Sequence, residues 1–391
     1  MENNACELQA GSPVGTGTNP PGKWKQSIFV VFLACLILTV ELLTVLAGTL
    51  STDGAEVSIN TNIPEIYDMY LTDQLHTVLD GMIPVKRVYK LSDSDMAAPK
   101  PNAECYGVAE DPTELKALLE DASELLDGQE TLFTTETKIM RGSKIHYYLD
   151  ETILAITWKQ VFNSCVYTFS EVKIAHATQF RRYLSGGKYS SGVLHTTTEM
   201  AESVNAVVAA SGDYYGYRGI GLVVNNGLVY RDKGQNLDSC GIDENGDLVF
   251  VKRGQITDQE GAEKFVEENN IRFSLSFGPV MIENGEYCVP YNYVTGEIND
   301  EFAREALCQL DTLHYAVVTA NYEGRYGQVP NVRTFTKNLM SMGIKTAYGL
   351  DGGQTATIVM NNKMMNTVSY GAQRNISDII YFATAIPNEG D

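Results

Sequence analysis

The hydrophobic pattern divides the chain into an apolar N-terminal run, a helical region and a long region of short strands. Ser27–Leu50 is almost wholly apolar, is long enough to cross a bilayer, and is preceded by Lys23 and Lys25. The basic flank predicts a cytoplasmic N-terminus and an extracytoplasmic C-terminal part. A cleaved signal peptide is the alternative, but the run exceeds a usual signal core and a long tail precedes it. The pattern therefore favours a single-pass anchor in the cell membrane.

The rest of the pattern predicts three further segments. Residues 1–26, rich in Gly, Pro, Asn and Thr, are predicted to be a disordered cytoplasmic tail. Residues 51–137 are predicted to be a helical stalk or linker, because Pro112–Gly128 carries leucines at helical spacing. In residues 138–391, short apolar runs mix with a few amphipathic helices without regular strand–helix–strand alternation. This region is predicted to be an α+β domain with a mixed sheet.

Turn residues locate individual elements of that domain. Asn226-Gly227 separates two apolar runs, and Asn361-Asn362 follows the β-branched run Ala356–Met360, so two hairpins are predicted. Leu313–Asn321 is predicted to be a buried strand, and Phe335–Gly343 a helix with glycine at its C-terminus.

Charge and cysteine content limit the classes of partner. The chain has 29 Lys+Arg against 49 Asp+Glu and a formal net charge of −20. No basic stripe is available to neutralise phosphates, so nucleic acid is not an expected partner. Of the seven cysteines, all but Cys6 and Cys35 follow the apolar run, without paired spacing or nearby histidines. No zinc site is predicted, and buried free thiols are favoured over a disulfide set.

Two acids stand beside glycines where predicted strands end. Asp351 precedes Gly352 and Gly353, and Asp213 follows a glycine after the apolar run Ala206–Ala210. At such positions the backbone takes positive φ or permits close approach, and the carboxylate points out of the sheet end. An ordinary turn is the alternative at both acids.

Aromatic and basic side chains accompany these acids. Tyr214 and Tyr215 follow Asp213 directly, and aromatic rings beside a carboxylate suit a sugar. Arg304 and Arg374 are candidates to hold an anionic oxygen bidentately, or else simply face solvent.

Five sequence blocks occur in the order found in the phosphodiester glycosidase family, which this chain resembles from about Lys138 to Ile386. That family includes the lysosomal uncovering enzyme and many bacterial exopolysaccharide-biosynthesis proteins. The blocks are Asn205–Arg231, Ser276–Gly285, Ala303–Val318, Gly343–Asn366 and Arg374–Phe382.

The resemblance implies a membrane-anchored extracytoplasmic glycosidase that hydrolyses a sugar-1-phosphodiester in a cell-envelope or exopolysaccharide glycan. Asp213 and Asp351 are compatible with this chemistry as general acid/base and as nucleophile or metal ligand, although the resemblance does not itself assign these roles. A divalent metal such as calcium is compatible with the site but is not identified. The expected partner is a glycan or glycosyl-phosphate. Its predicted binding residues are Tyr214, Tyr215, Arg304, Gly352, Gly353, Thr357 and Arg374.

The chain also departs from the family pattern. Ser211 stands for Asn, Asn225 for Arg, Asn321 near an expected Asp, and Gln354 for a third glycine. Ala356 stands where the pattern has a hydroxyl. Such changes would weaken anion or metal binding, so a catalytically weakened glycan- or envelope-binding module is the alternative function.

Overall fold

The computed structural model describes residues 90–92, 97–294, 298–323 and 326–387. The predicted tail, the anchor Ser27–Leu50 and about half of the predicted stalk lie outside these residues. Within them, no helix combines the length and the apolar character needed to cross a membrane. They belong to one compact unit, Lys86–Asp391.

Strands dominate this unit, and a few short helices accompany them. The strands are β1 (Tyr106–Ala109), β2 (Ile145–Leu149), β3 (Ile153–Phe162), β4 (Cys165–Ile174), β5 (Phe180–Leu184), β6 (Val208–Ser211), β7 (Gly221–Asn225), β8 (Leu228–Lys233), β9 (Ser239–Ile242), β10 (Leu248–Val251), β11 (Phe273–Leu275), β12 (Val280–Glu283), β13 (Glu286–Tyr287), β14 (Arg304–Asp311), β15 (His314–Asn321), β16 (Ala347–Leu350), β17 (Ile358–Met360), β18 (Lys363–Met364) and β19 (Asp378–Phe382). The α-helices are α1 (Lys116–Asp121), α2 (Ser123–Leu126), α3 (Thr197–Ser203), α4 (Gln259–Glu268) and α5 (Val332–Ser341). The α+β prediction is confirmed in this coarse form.

The strands form three sheets. The first sheet has nine strands in the order β1-β2-β3-β4-β15-β14-β16-β12-β13. The second sheet has the order β18-β17-β6-β19-β5, and the third has β10-β9-β11-β7-β8. The ladders between these strands are antiparallel. Both predicted asparagine hairpins occur, as β7–β8 and β17–β18, with Asn226, Asn361 and Asn362 at positive φ.

The first sheet is buried on both faces. On one face, Leu307, Val317 and Leu350 share a hydrophobic cluster with residues of the second and third sheets, such as Phe382 and Leu275. On the other face, aromatic and aliphatic side chains from the helices and loops cover it. For this reason all 10 residues of β4 are buried, instead of alternating between core and solvent.

The predicted domain boundary at residue 138 is wrong for the described part of the stalk. β1 pairs with β2 at the edge of the first sheet, so the chain before residue 138 supplies a strand of the domain. Leu115 and Phe133 lie in the same buried cluster as Trp158. The leucine spacing did indicate helix, since α1 and α2 lie there, but their apolar side chains pack on the sheet.

The described cysteines are free thiols. Cys165, Cys240 and Cys308 are buried, whereas Cys105 and Cys288 are partly exposed.

Candidate active site

The loop after β16 carries Asp351 and is shaped by the two glycines that follow. A Cβ atom on Gly352 would lie 2.5 Å from the carbonyl oxygen of Ala303, so no other residue fits there without a shift. Gly353 has a φ of +65° and donates its N–H to the same carbonyl over 2.7 Å. The loop is therefore fastened to the chain that enters β14. Asp351 stands at a strand end, as predicted, and not in a hairpin turn.

Asp351 faces a cleft of about 660 Å³. Six of the predicted site residues line it: Tyr214, Arg304, Asp351, Gly352, Gly353 and Arg374. Arg218, Phe277, Gln354 and the exposed ring of Tyr370 contribute further to its walls. Acid, cations and aromatic rings thus meet in one place, although they come from distant parts of the sequence.

The carboxyl group of Asp351 is nearly inaccessible, with 7% of the residue exposed. Its Oδ2 is buried and has no hydrogen-bond partner among the residues described. Burial raises the pKa of Asp351 to about 7, against the lowering effect of the positive charges of Arg374 and Arg218. A carboxyl group with this pKa gains and loses a proton near neutral pH, as acid–base catalysis requires.

Asp213 does not line the cleft. Its Oδ1 accepts the N–H of Tyr214 over 2.6 Å, and its Oδ2 accepts the N–H of Ser276 over 2.9 Å. The guanidinium groups of Arg218 and Arg182 lie 3.8 and 4.0 Å from its oxygens. Its charge is near enough to raise the pKa of Asp351. The position of Asp213 fits a residue that orients Arg218 better than one that reacts with substrate.

Two arginines stack on the aromatic wall of the cleft. The guanidinium carbon of Arg374 lies 4.9 Å from the ring centre of Tyr214 and 4.5 Å from that of Tyr217. Arg218 lies 5.3 Å from Tyr214 and 4.9 Å from Phe277. The Nε of Arg218 is buried and has no hydrogen-bond partner among the described residues. Such contacts hold the guanidinium planes in place and keep N–H groups available for an anion.

The third arginine, Arg304, is held by the backbone at the start of β14. It donates hydrogen bonds to the carbonyl oxygens of Asp300 and Pro330 and stacks on Phe302. It lines the cleft from these anchors.

Two predicted substrate-binding residues lie elsewhere. Tyr215 is buried, stacks on Tyr189 at 5.4 Å and donates its hydroxyl to the carbonyl oxygen of Ser377. Thr357 is buried directly before β17 and does not line the cleft. Neither residue lines the cleft, so a role of either one in binding substrate stays a prediction.

Sequence reasoning missed Arg218 and Glu305. Glu305 is buried on β14, where the Ser211 hydroxyl donates to its Oε2 over 2.7 Å and the N–H of Thr357 over 3.0 Å. Burial raises the pKa of Glu305 well above its usual range. The available signal was an acid inside an apolar strand sequence, directly after Arg304.

The departures from the family pattern have different structural meanings. The Ser211 hydroxyl binds Glu305, and Asn321 donates its side-chain amide to the carbonyl oxygen of Ala356. Asn225 lies at a separate cavity of about 390 Å³. Gln354 is the departure that lines the cleft, where its Nε2 donates to the carbonyl oxygen of Ala372 over 2.9 Å. It ties the Asp351 loop to the loop that carries Arg374.

The described residues contain no group of three or more His, Cys, Asp or Glu side chains placed to hold a metal ion. Dependence on a divalent ion such as calcium stays a prediction.

Comparison with known proteins gives a family match for part of the chain. Residues 204–383 match the family model described as phosphodiester glycosidase. The catalytic domain of zebrafish N-acetylglucosamine-1-phosphodiester alpha-N-acetylglucosaminidase, auto-inhibited by its pro-peptide, is similar at 17% identity and a TM-score of 0.48, over 67% of this chain and 92% of that one. A hypothetical protein from Synechocystis is similar at 12% identity and a TM-score of 0.49, over 63% and 64% of the two chains. A search of curated proteins gave no significant match. The family match spans Asp213, Arg304, Asp351 and Arg374, and it identifies residues 204–383 as a phosphodiester glycosidase domain.

Proposed function

We propose that the cleft hydrolyses a sugar-1-phosphodiester, with Asp351 as the residue that transfers the proton. The observation that carries the proposal is a buried carboxyl group with a pKa of about 7 in one cleft with Arg218, Arg304 and Arg374. The match of residues 204–383 to a hydrolase family supports a glycosidase-type activity.

The reaction assigns a separate task to each kind of side chain. The bond between the anomeric carbon and the phosphate oxygen breaks, and its electron pair stays with the phosphate. The arginines stabilise the charge that develops there. Water adds to the anomeric carbon, and its proton passes to the ionised carboxylate of Asp351. Tyr214 stacks on Arg218 and Arg374, and Phe277 stacks on Arg218, so these rings hold the cations in place.

The test is hydrolysis of nucleotide- and aryl-linked sugar-1-phosphates by the full chain and by Asp351→Asn. Because general acid–base catalysis contributes about 10²–10⁴-fold, the variant should lose activity by a factor in this range. Glu260→Gln changes an exposed acid on α4 and is the matched control, with activity expected at the parent level. Equal activity of Asp351→Asn and the parent would exclude Asp351 as the proton acceptor. The same assay with chelator and with added calcium tests divalent-ion dependence.

Gln354 favours the alternative function, a module that binds glycan without cleaving it. Its side chain occupies the wall of the cleft where the family pattern has glycine. No turnover of any substrate, together with calorimetric binding of a cell-envelope glycan, would support this alternative.

We also propose that Ser27–Leu50 anchors the chain in the cell membrane with the glycosidase domain outside. The support is the apolar run and its basic flank. Protease added to intact cells should remove the domain and leave the N-terminal segment with the membranes. A domain protected from protease until the cells are lysed would contradict this orientation.

A further inference from the structure

The buried carboxyl group of Glu305 has one oxygen that the proposed reaction does not use. Its Oε2 accepts hydrogen bonds from the Ser211 hydroxyl and the Thr357 N–H. Its Oε1 is buried, and no described residue forms a hydrogen bond with it. Since Oε2 already accepts two bonds, a proton on this carboxyl group belongs on Oε1.

Asp351 also has a carboxyl oxygen without a hydrogen bond, because no described residue donates to its buried Oδ2. The two acids are structurally linked. The Ser211 hydroxyl oxygen lies 2.7 Å from Oε2 of Glu305 and 3.2 Å from the backbone oxygen of Asp351. Leu350, which precedes Asp351, pairs with Glu305 across β14 and β16. An oxygen that can carry a proton and an oxygen that can accept one are therefore brought to the same buried region.

We propose that Glu305 is a positioning residue for Asp351. Glu305 stays protonated, and its Oε1 donates a hydrogen bond to Oδ2 of the ionised Asp351. This inference rests on the proposed function, in which Asp351 takes the proton from water. Two neighbouring carboxyl groups can form such a bond only when one of them keeps its proton. The proton on Glu305 is not consumed in the reaction.

The charges around the pair favour this division of roles. Arg374 and Arg218 favour the ionised form of Asp351, while Asp213 opposes it. Burial raises the pKa of Glu305, and the charge of Asp351 raises it further. Burial and the charge of Asp351 thus both favour the protonated form of Glu305, against the lowering effect of the hydrogen bonds from Ser211 and Thr357 on its pKa.

Two variants of the full chain separate this role from a packing role. Glu305→Gln keeps a neutral side chain with a donor for Asp351 and an acceptor for Ser211 and Thr357. Glu305→Met keeps the approximate length of the side chain but supplies neither the donor nor the acceptor. We expect the glutamine variant to have the same kcat as the parent. When rates are measured between about pH 5 and 9, its pH–rate profile should also have the same midpoint as that of the parent. The methionine variant should lose about tenfold in kcat with little change in KM, and its midpoint should move up by about one pH unit.

A purely structural role would lower the melting temperature in both variants and leave the midpoint in place, which would overturn the proposal. Loss of activity in Glu305→Gln equal to that in Glu305→Met would also overturn it, because it would require an ionised Glu305.

A carbon-13 NMR titration of the side-chain carboxyl of Asp351, assigned by its absence in Asp351→Asn, does not depend on turnover. An upward shift of the titration midpoint in Glu305→Met supports the pair even if no phosphodiester is hydrolysed, in which case the proposed function fails alone. An unchanged midpoint overturns the pair even if hydrolysis is found.

Discussion

The raised pKa of Asp351 suits acid–base catalysis but lowers the stability of the folded state at neutral and higher pH. Its folded pKa of about 7 lies above the ordinary value of 3.8. Between these values the folded protein holds a proton that the unfolded chain has released. The stability of the folded state therefore falls as the pH rises through this window, and the cost is complete above the folded pKa.

We expect Asp351→Asn to be more stable than the parent at about pH 8, because asparagine removes a buried charge. The gain should reach a few kcal/mol, at roughly 1.4 kcal/mol for each unit of pKa. It should vanish near about pH 3, where the aspartate is neutral in both the folded and unfolded states. Thermal unfolding at the two pH values measures the effect, with Glu260→Gln as control. A stability difference that does not change with pH would show that Asp351 is not buried in its neutral form.

At the scale of the element, the path of the loop after β16 requires glycine at position 352 more strictly than at position 353. Gly352→Ala places a Cβ against the Ala303 carbonyl and must displace the loop, whereas the space around Gly353 is open. Because a displacement of about 1 Å can cost about 10²-fold in rate, we expect Gly352→Ala to lower kcat/KM by that order. Gly353→Asn, which tolerates a positive φ, should leave the path of the loop in place and lose less activity than Gly352→Ala. Equal losses in the two variants, measured by steady-state kinetics, would contradict this difference.

The elements were more predictable from the sequence than the contacts between them. The asparagine turns, the strand that became β15 and the helix that became α5 follow from local periodicity and turn chemistry, so they were found. Glu305 was not found in this way, because the groups that surround its carboxyl group are Ser211 on β6 and Thr357 before β17. Neighbours so far apart in sequence leave no local pattern. The position of Tyr215 outside the cleft was not predicted for a related reason, since adjacent side chains in a turn can face different layers.

At the scale of the whole molecule, the N-terminal limit of the fold decides which fragments are stable. Fragment 86–391 keeps β1 and the side chains of Leu115 and Phe133, whereas fragment 138–391 loses them. The shorter fragment would expose the edge of β2 and the apolar face around Trp158, whose ring centre lies 5.3 Å from that of Phe133. Exposed strand edges and apolar patches promote association.

We therefore expect fragment 138–391 to melt at a lower temperature than fragment 86–391 and to elute as oligomers in gel filtration. Trp158 is the single tryptophan of both fragments, because the second of the chain is Trp24. Its emission should shift to longer wavelength in the shorter fragment. Identical melting and emission in the two fragments would restore the predicted boundary at residue 138.

The cleft draws its chemistry from two different sheets. Asp351 follows β16 of the first sheet, whereas Arg374 leads into β19 of the second, and Leu350 and Phe382 lie in the hydrophobic layer between them. The distance between Asp351 and Arg374 therefore depends on how firmly this layer fixes the two sheets relative to each other. Heating that lets the sheets slide would slow turnover while each sheet remains folded. Under the proposed function, turnover would have a temperature optimum below the melting temperature of the protein. Better packing of this layer would raise that optimum without any change in the cleft.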